Sequence, residues 1–106
     1  MPKFLISARY SAEGLQGLKK DKASGREKAI ATACKAAGGK LDAMYYALGK
    51  DDVFVIADLP SHVHVATLCI AVGASGMAST HTVPLMTIAE TDKALGEEMK
   101  YRPPGS

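Results

Sequence analysis

Six polar side chains of this 106-residue chain have the types a small-anion site or a proton-transfer site would use: Ser7, Arg9, Asp42, Tyr45, Asp58 and His81. Each falls in, or at the end of, a predicted strand. An antiparallel packing that brings the ends of the first and third strands beside the starts of the second and fourth would gather Arg9, Asp58, Asp42 and His81 at one rim. Ser7 would lie nearby, with Tyr45 or Tyr46 according to the strand register, because a one-residue slip swaps faces. A guanidinium, a carboxylate and an imidazole beside a half-apolar cavity can bind a small carboxylate or phosphate, or move a proton. The plainer alternative is an ion pair of Arg9 with Asp58 or Asp42 that only closes a sheet edge.

Other reactive types are less well placed. His62 and His64 stand two residues apart at the start of a predicted helix, where they point roughly 200° apart. One metal ion could take both only if His62 lay in the capping loop. Haem would need a His or Cys facing a pocket, and His81 is the strand-borne candidate. Cys34 and Cys69 fall on the apolar stripes of helices, where a free thiol behaves as a small hydrophobe. Neither has a basic neighbour in sequence that would make it a nucleophile. Met1-Pro2 suggests a proline base only if Met1 is removed. No metal and no cofactor is expected.

Composition sets the frame. Hydrophobic residues make up 47% and charged residues 23%, ordinary for one globular domain spanning residues 1–106 and unlike a disordered chain. The net charge of +2 gives no domain-wide basic bias for nucleic acid. Lys19, Lys20, Lys22, Arg26 and Lys28 cluster, but Asp21 and Glu27 interrupt them. Between Pro60 and Thr80 there is no charged residue, yet His, Ser, Thr and Gly make that run a poor membrane span. The chain opens directly into a strand, so a cytoplasmic location is expected.

The elements that must position these residues are well punctuated. Lys3 to Tyr10 alternates as a strand. Ser11 caps a short helical turn, and Ser24-x-x-Glu27 reads as a capping box for the main first helix, which Gly38-Gly39 ends. Lys40 to Leu48 and Val53 to Leu59 form a hairpin across a tight turn from Gly49 to Asp52. Ser61 to Ala74 is a helix apolar almost all round, one stripe carrying Val65, Leu68, Cys69 and Val72, the other Val63, Ala66 and Ile70. Met77 to Leu85 is a fourth strand, with Pro84 suggesting an edge. Thr87-x-x-Glu90 opens a last helix that should turn Ile88, Thr91, Leu95 and Met99 inward, followed by a stiff Tyr101–Ser106 tail. The order β-α-β-β-α-β predicts an α+β, ferredoxin-like sandwich with sheet order 4-1-3-2, helices on one face, and a C-terminal helix and extended tail.

The hairpin segment Tyr45-Tyr46-Ala47-Leu48-Gly49-Lys50-Asp51-Asp52, continuing as Val53-Phe54-Val55-Ile56-Ala57-Asp58-Leu59-Pro60, resembles the signature of the GYD domain family. The likeness runs from the opening Pro-Lys-x-Leu strand to Thr-x-Pro-Leu-x-Thr after the fourth. It implies a dimeric α/β-barrel of ferredoxin-like domains and leaves the biochemical activity open. One departure stands in the turn: Gly49 and Asp52 match, while Asp51 occupies the aromatic position. Gly49 suits a positive φ there, and Asp52 can bond its own backbone.

Two functions follow from this frame. In one, an oligomeric protein holds a small polar metabolite between sheets through Arg9, Tyr45, Asp58 and Ser7. In the other, the same cavity runs cofactor-free chemistry of the monooxygenase or isomerase type, with His81 carrying the proton. A bare sheet face with Phe54 and Ile56, and the outer stripe of Val63, Ala66 and Ile70, should make the chain its own partner, at least as a dimer. No nucleic-acid or membrane partner is expected.

Overall fold

Why the chain forms a single antiparallel sheet is visible in its alternation. In the computed structural model, which spans residues 1–106, the elements are β1 (Lys3–Tyr10), α1 (Ala12–Ala36), β2 (Lys40–Tyr46), β3 (Val53–Asp58), α2 (His62–Ala74), β4 (Ala78–Leu85) and α3 (Ile88–Gly96). The sheet runs β2-β3-β1-β4 with every neighbouring pair antiparallel; counted from the β4 edge, the same order reads 4-1-3-2. The result is an α+β chain with one four-stranded sheet and three helices.

Period-two alternation divides the strands between two faces. Phe4 and Ile6 of β1 and Val53, Val55 and Ala57 of β3 are buried beneath the helices, together with Cys34 of α1, Leu59 and Val65 of α2. The other face carries Leu5, Ser7 and Arg9 of β1, Phe54 and Ile56 of β3, Tyr45 of β2, and His81 and Val83 of β4, as the registers Leu5↔Ile56, Ser7↔Phe54, Tyr45↔Phe54 and Ser7↔His81 require. No element of the chain covers this second face. It is half-exposed at Leu5, Phe54 and Ile56 and open at Val83.

The helices lie over the edges: α1 packs on β2 and less closely on β1, and α2 packs on β4. Ser11 caps α1 by accepting from the Gly14 backbone N–H at 3.0 Å. The expected restart near Ser24 takes a different form. α1 runs from Ala12 and is broken at Lys22, where φ is 66° and ψ 164°, a conformation seldom adopted by residues other than glycine. Gly38, at φ 89°, terminates α1 in the left-handed conformation. The helix Ser61–Ala74 is exposed at Val63, Ala66 and Ile70 as its outer stripe implies.

Two expectations are corrected. Gly49 does not take a positive φ; the hairpin is instead closed by Ala47 N–H donating to the Asp52 carbonyl, and Asp52 anchors it to β1 by accepting from the Tyr10 backbone N–H at 2.8 Å. α3 is capped by the Thr87–Glu90 box as its sequence requires, with both reciprocal bonds made. It does not turn its apolar residues inward, however. Ile88 and Leu95 are 81% and 79% exposed, and Met99, which lies beyond the end of α3, is 86% exposed. β4 stays paired with β1 to its last residue, Leu85, and the α3 that follows has at most marginal contact with the sandwich. The projecting arm stretches the molecule to 56 × 32 × 23 Å, and the radius of gyration of 16.8 Å exceeds the roughly 13 Å of a compact chain this long. No helix is long and apolar enough to cross a membrane.

Candidate functional site

The uncovered sheet face has a rim of charge at one end and a different rim at the other, because antiparallel neighbours set the start of one strand beside the end of the next. Lys3 opens β1, Asp58 closes β3 and Lys40 opens β2, so all three meet at one rim. Asp42 joins them at a break in the β2–β3 register between Leu41 and Ala43. Lys3 Nζ bonds the Asp42 carboxylate and lies 2.9 Å from Asp58 Oδ1, while Lys40 Nζ stands 3.8 Å from Asp42 and 3.9 Å from Asp58. The hydrogen bond from Lys3 holds the Asp42 carboxyl below the usual carboxylate range, and the Asp42 and Asp58 bonds raise Lys3 above its ordinary value. Two lysines and two aspartates cancel within this rim.

The opposite rim is built by the end of β1 and the start of β4. Arg9 stands across from Ser79, one diagonal step from His81, which faces Ser7. Ser7 is buried, and its hydroxyl donates to the His81 carbonyl at 3.3 Å. Tyr45 projects beyond Phe54, across from Ser7, and is 70% exposed. Arg9 forms no ion pair. Between the rims runs an apolar band of Leu5, Phe54, Ile56 and Val83.

The expectation that Arg9, Asp58, Asp42 and His81 share one rim is therefore corrected. Arg9 lies six residues along β1 from Lys3, the partner of Asp58, which puts roughly 20 Å between them. Arg9, Ser7, Tyr45 and His81 do share one face and one half of it; Asp58 and Asp42 belong to the far rim. Register resolves the tyrosines: Tyr45 is on the open face, while Tyr46, paired with Val53, turns to the helix side. Sequence reasoning passed over Lys3 and Lys40 as partners for the aspartates. Their placement at strand starts, opposite a strand-ending Asp58, was the available signal.

Of the remaining candidates, His64 and Cys69 have side-chain partners. His64 Nδ1 is 2.8 Å from the Ser61 hydroxyl at the start of α2. No group of three or more His, Cys, Asp and Glu side chains is assembled for a metal ion. Cys34 is fully buried and burial pushes its thiol up; Cys69 is half-buried, with its sulfur 3.3 Å from the Thr82 hydroxyl.

Among known proteins, the model of the GYD domain matches residues 4–95. No curated protein and no solved structure matches the chain.

Proposed function

The chain belongs to the GYD domain family, and we propose that it is a homo-oligomeric small-molecule-binding protein, ferredoxin-like in topology, which pairs its sheets across the open face and holds a small anionic metabolite between them. The observation that carries this reading is Arg9. It is the one charged group on the open face without an opposite charge, since Lys3, Lys40, Asp42 and Asp58 satisfy one another at the far rim. Pairing two faces would remove water from the apolar band and from part of Arg9. A guanidinium drawn from water requires a counter-charge, and the aspartates of a second copy are engaged by that copy's own lysines. A ligand carboxylate or phosphate meets the requirement, in a bidentate fork that lysine cannot reproduce. Ser7, Tyr45 and Ser79 would supply neutral hydrogen bonds around it.

The test is thermal unfolding against inorganic phosphate and small mono- and dicarboxylates. The native chain is expected to gain stability with at least one of them, and Arg9→Lys to lose that gain while keeping its oligomeric mass. A ligand-induced shift that survives in Arg9→Lys would sink the reading.

A second reading, cofactor-free catalysis of the isomerase or monooxygenase type, is favoured by one observation: the His81 side chain shares Arg9's face at a diagonal position and has no intramolecular hydrogen bond to its ring. There Arg9 would anchor the substrate and His81 would carry the proton. His81→Ala would then retain binding and abolish turnover.

A further inference from the structure

On the helix side of the sheet lies a cavity of about 500 Å³, and its origin is traceable to the chain. α1 and α2 settle mainly over the edge strands, so a space remains between them above the central strands. Ile6, Val53 and Val55 form the floor. Several helix positions that overlook it are small, Gly14, Gly17, Ala29 and Ala33 from α1 and Ala71 from α2, and they alternate with the larger Leu18, Ile30, Leu68 and Val72 of the walls. The break at Lys22 lets both halves of α1 contribute walls. None of the small residues has a side chain able to reach across and fill the space. Ligand sites in proteins are concavities of this size class, mainly apolar with a few placed polar groups.

Of the polar groups on the lining, the Ser75 hydroxyl is spent on the end of α2, donating to the Val72 carbonyl and accepting from the Met77 N–H, and Thr80 adds one hydroxyl; two further features define what would fit. Tyr10 lines the cavity, its ring stacked on Tyr46 at a centroid distance of 6.5 Å and its hydroxyl 3.1 Å from the Tyr46 hydroxyl. Two hydroxyls that share one hydrogen bond leave one O–H free for a third acceptor. The charged groups on the lining, Arg26 and Asp21, face each other at 3.7 Å and offset each other. No unpaired charge lines this space, in contrast to the open face around Arg9.

We propose that this cavity is a second binding site, for a small, uncharged, largely apolar molecule bearing one hydrogen-bond acceptor such as a ketone or ether oxygen, which the tyrosine pair receives. Its occupant is not the chain's own α3. Leu85 is opposite Lys3, whereas Tyr10 and Ala78 at the other end of the β1–β4 pair line the cavity, so α3 departs from the far end of β4, roughly 23 Å from Ala78. The site is separate from the anion site, because the sheet stands between them.

The experiment is titration of the full-length protein with prodan, an uncharged naphthyl ketone dye. The expected result is a saturable, blue-shifted emission with one dye per chain, an affinity about tenfold or more above that of the anionic dye anilinonaphthalene sulfonate, and no competition by inorganic phosphate. Bound dye should also slow alkylation of Cys69, whose side chain lines the cavity. Ala33→Phe, and independently Ala71→Phe from the other helix, should each fill the space and weaken prodan about tenfold or more; circular dichroism identifies whichever variant keeps the fold. Tyr10→Phe should weaken it a few-fold. Absence of saturable binding, equal or tighter binding of the anionic dye, displacement by phosphate, or unchanged affinity in a folded cavity-filling variant would each overturn the assignment. An α3 helix from another copy filling the cavity would appear as absence of dye uptake.

Discussion

Lys3 and Asp58 stand directly opposite each other in the β1–β3 ladder, and the lysine ammonium lies 2.9 Å from the aspartate carboxylate. Asp58 is nearly buried, at 8% exposure, on a face that no other element of the chain covers. Lys3 also bonds Asp42, so one ammonium ties three strands together.

That arrangement makes stability depend on pH in a defined sense. Asp42 has a folded-state value below the usual one, so its contribution is complete above the ordinary carboxylate value of about 4 and is lost as pH falls through the folded value. Lys3, raised above its ordinary value of about 10.4, contributes fully below that value and loses its contribution as pH climbs through the folded one. Urea midpoints measured across pH should therefore form a plateau with an acid and an alkaline shoulder. Lys3→Met is expected to flatten both, and shoulders unchanged in that variant would contradict the assignment.

Gly39 lies beside the same rim. A Cβ there would stand 1.9 Å from the Asp58 carbonyl oxygen and 3.0 Å from a Leu59 methyl. Backbone atoms cannot swing aside as a side-chain end can, so Gly39→Ala should cost roughly 1–3 kcal/mol by overpacking, read as a lower urea midpoint. Gly49→Ala has open space around it and should be near neutral.

Assembly is expected through the open face first. Light scattering of the native chain should give at least twice the 11.1 kDa chain mass. Ile56→Asp should return it to the single-chain mass. Ile70, 70% exposed on α2, would form a second contact whose burial would contribute on the order of 1.5–3 kcal/mol per subunit; Ile70→Asp should remove species above the dimer and leave the dimer. A native protein with the mass of one chain would end this reading.

The arm makes a separate prediction. A nine-residue helix with no buried residue is too short to persist alone in water, so α3 should be protected from amide exchange only in the assembled protein. Thr87→Ala removes the side-chain cap on the Glu90 backbone N–H while leaving the residue-87 N–H that bonds the Glu90 carboxylate, at a cost of about 1 kcal/mol to the helix. Exchange in α3 that is equally slow at dilutions favouring single chains would contradict an intermolecular role.

Strand and helix order were legible because Ser11, Gly38 and the Thr87–Glu90 box mark their termini locally, and because Phe4/Ile6 against Leu5/Ser7 alternates cleanly. The open face was legible for the same reason. What failed was long-range. The sharing of a rim by Arg9 and Asp58 depended on which strand ends meet, a property of pairing direction that no local pattern carries. The inward face assigned to α3 rested on the spacing of Ile88, Leu95 and Met99, which gives a stripe without saying where β4 will release the helix. The helix-side cavity was invisible because Ala33, Leu68 and Cys69 read as ordinary core; only the spacing of the two helices leaves a gap between them.

Both margins of the sheet carry a device against indefinite lateral growth. β4, an outer strand, includes Pro84, which has no N–H to offer a neighbour. On the other margin, β2 is interrupted at Asp42 by the irregularity between Leu41 and Ala43, with a charged carboxylate at that place. An incoming strand would meet a missing donor on one side and a bent, ion-paired contour on the other. Copies of this chain that associate would therefore be expected to stack face on face rather than add edge on edge, which would favour closed particles over fibrils even at high concentration.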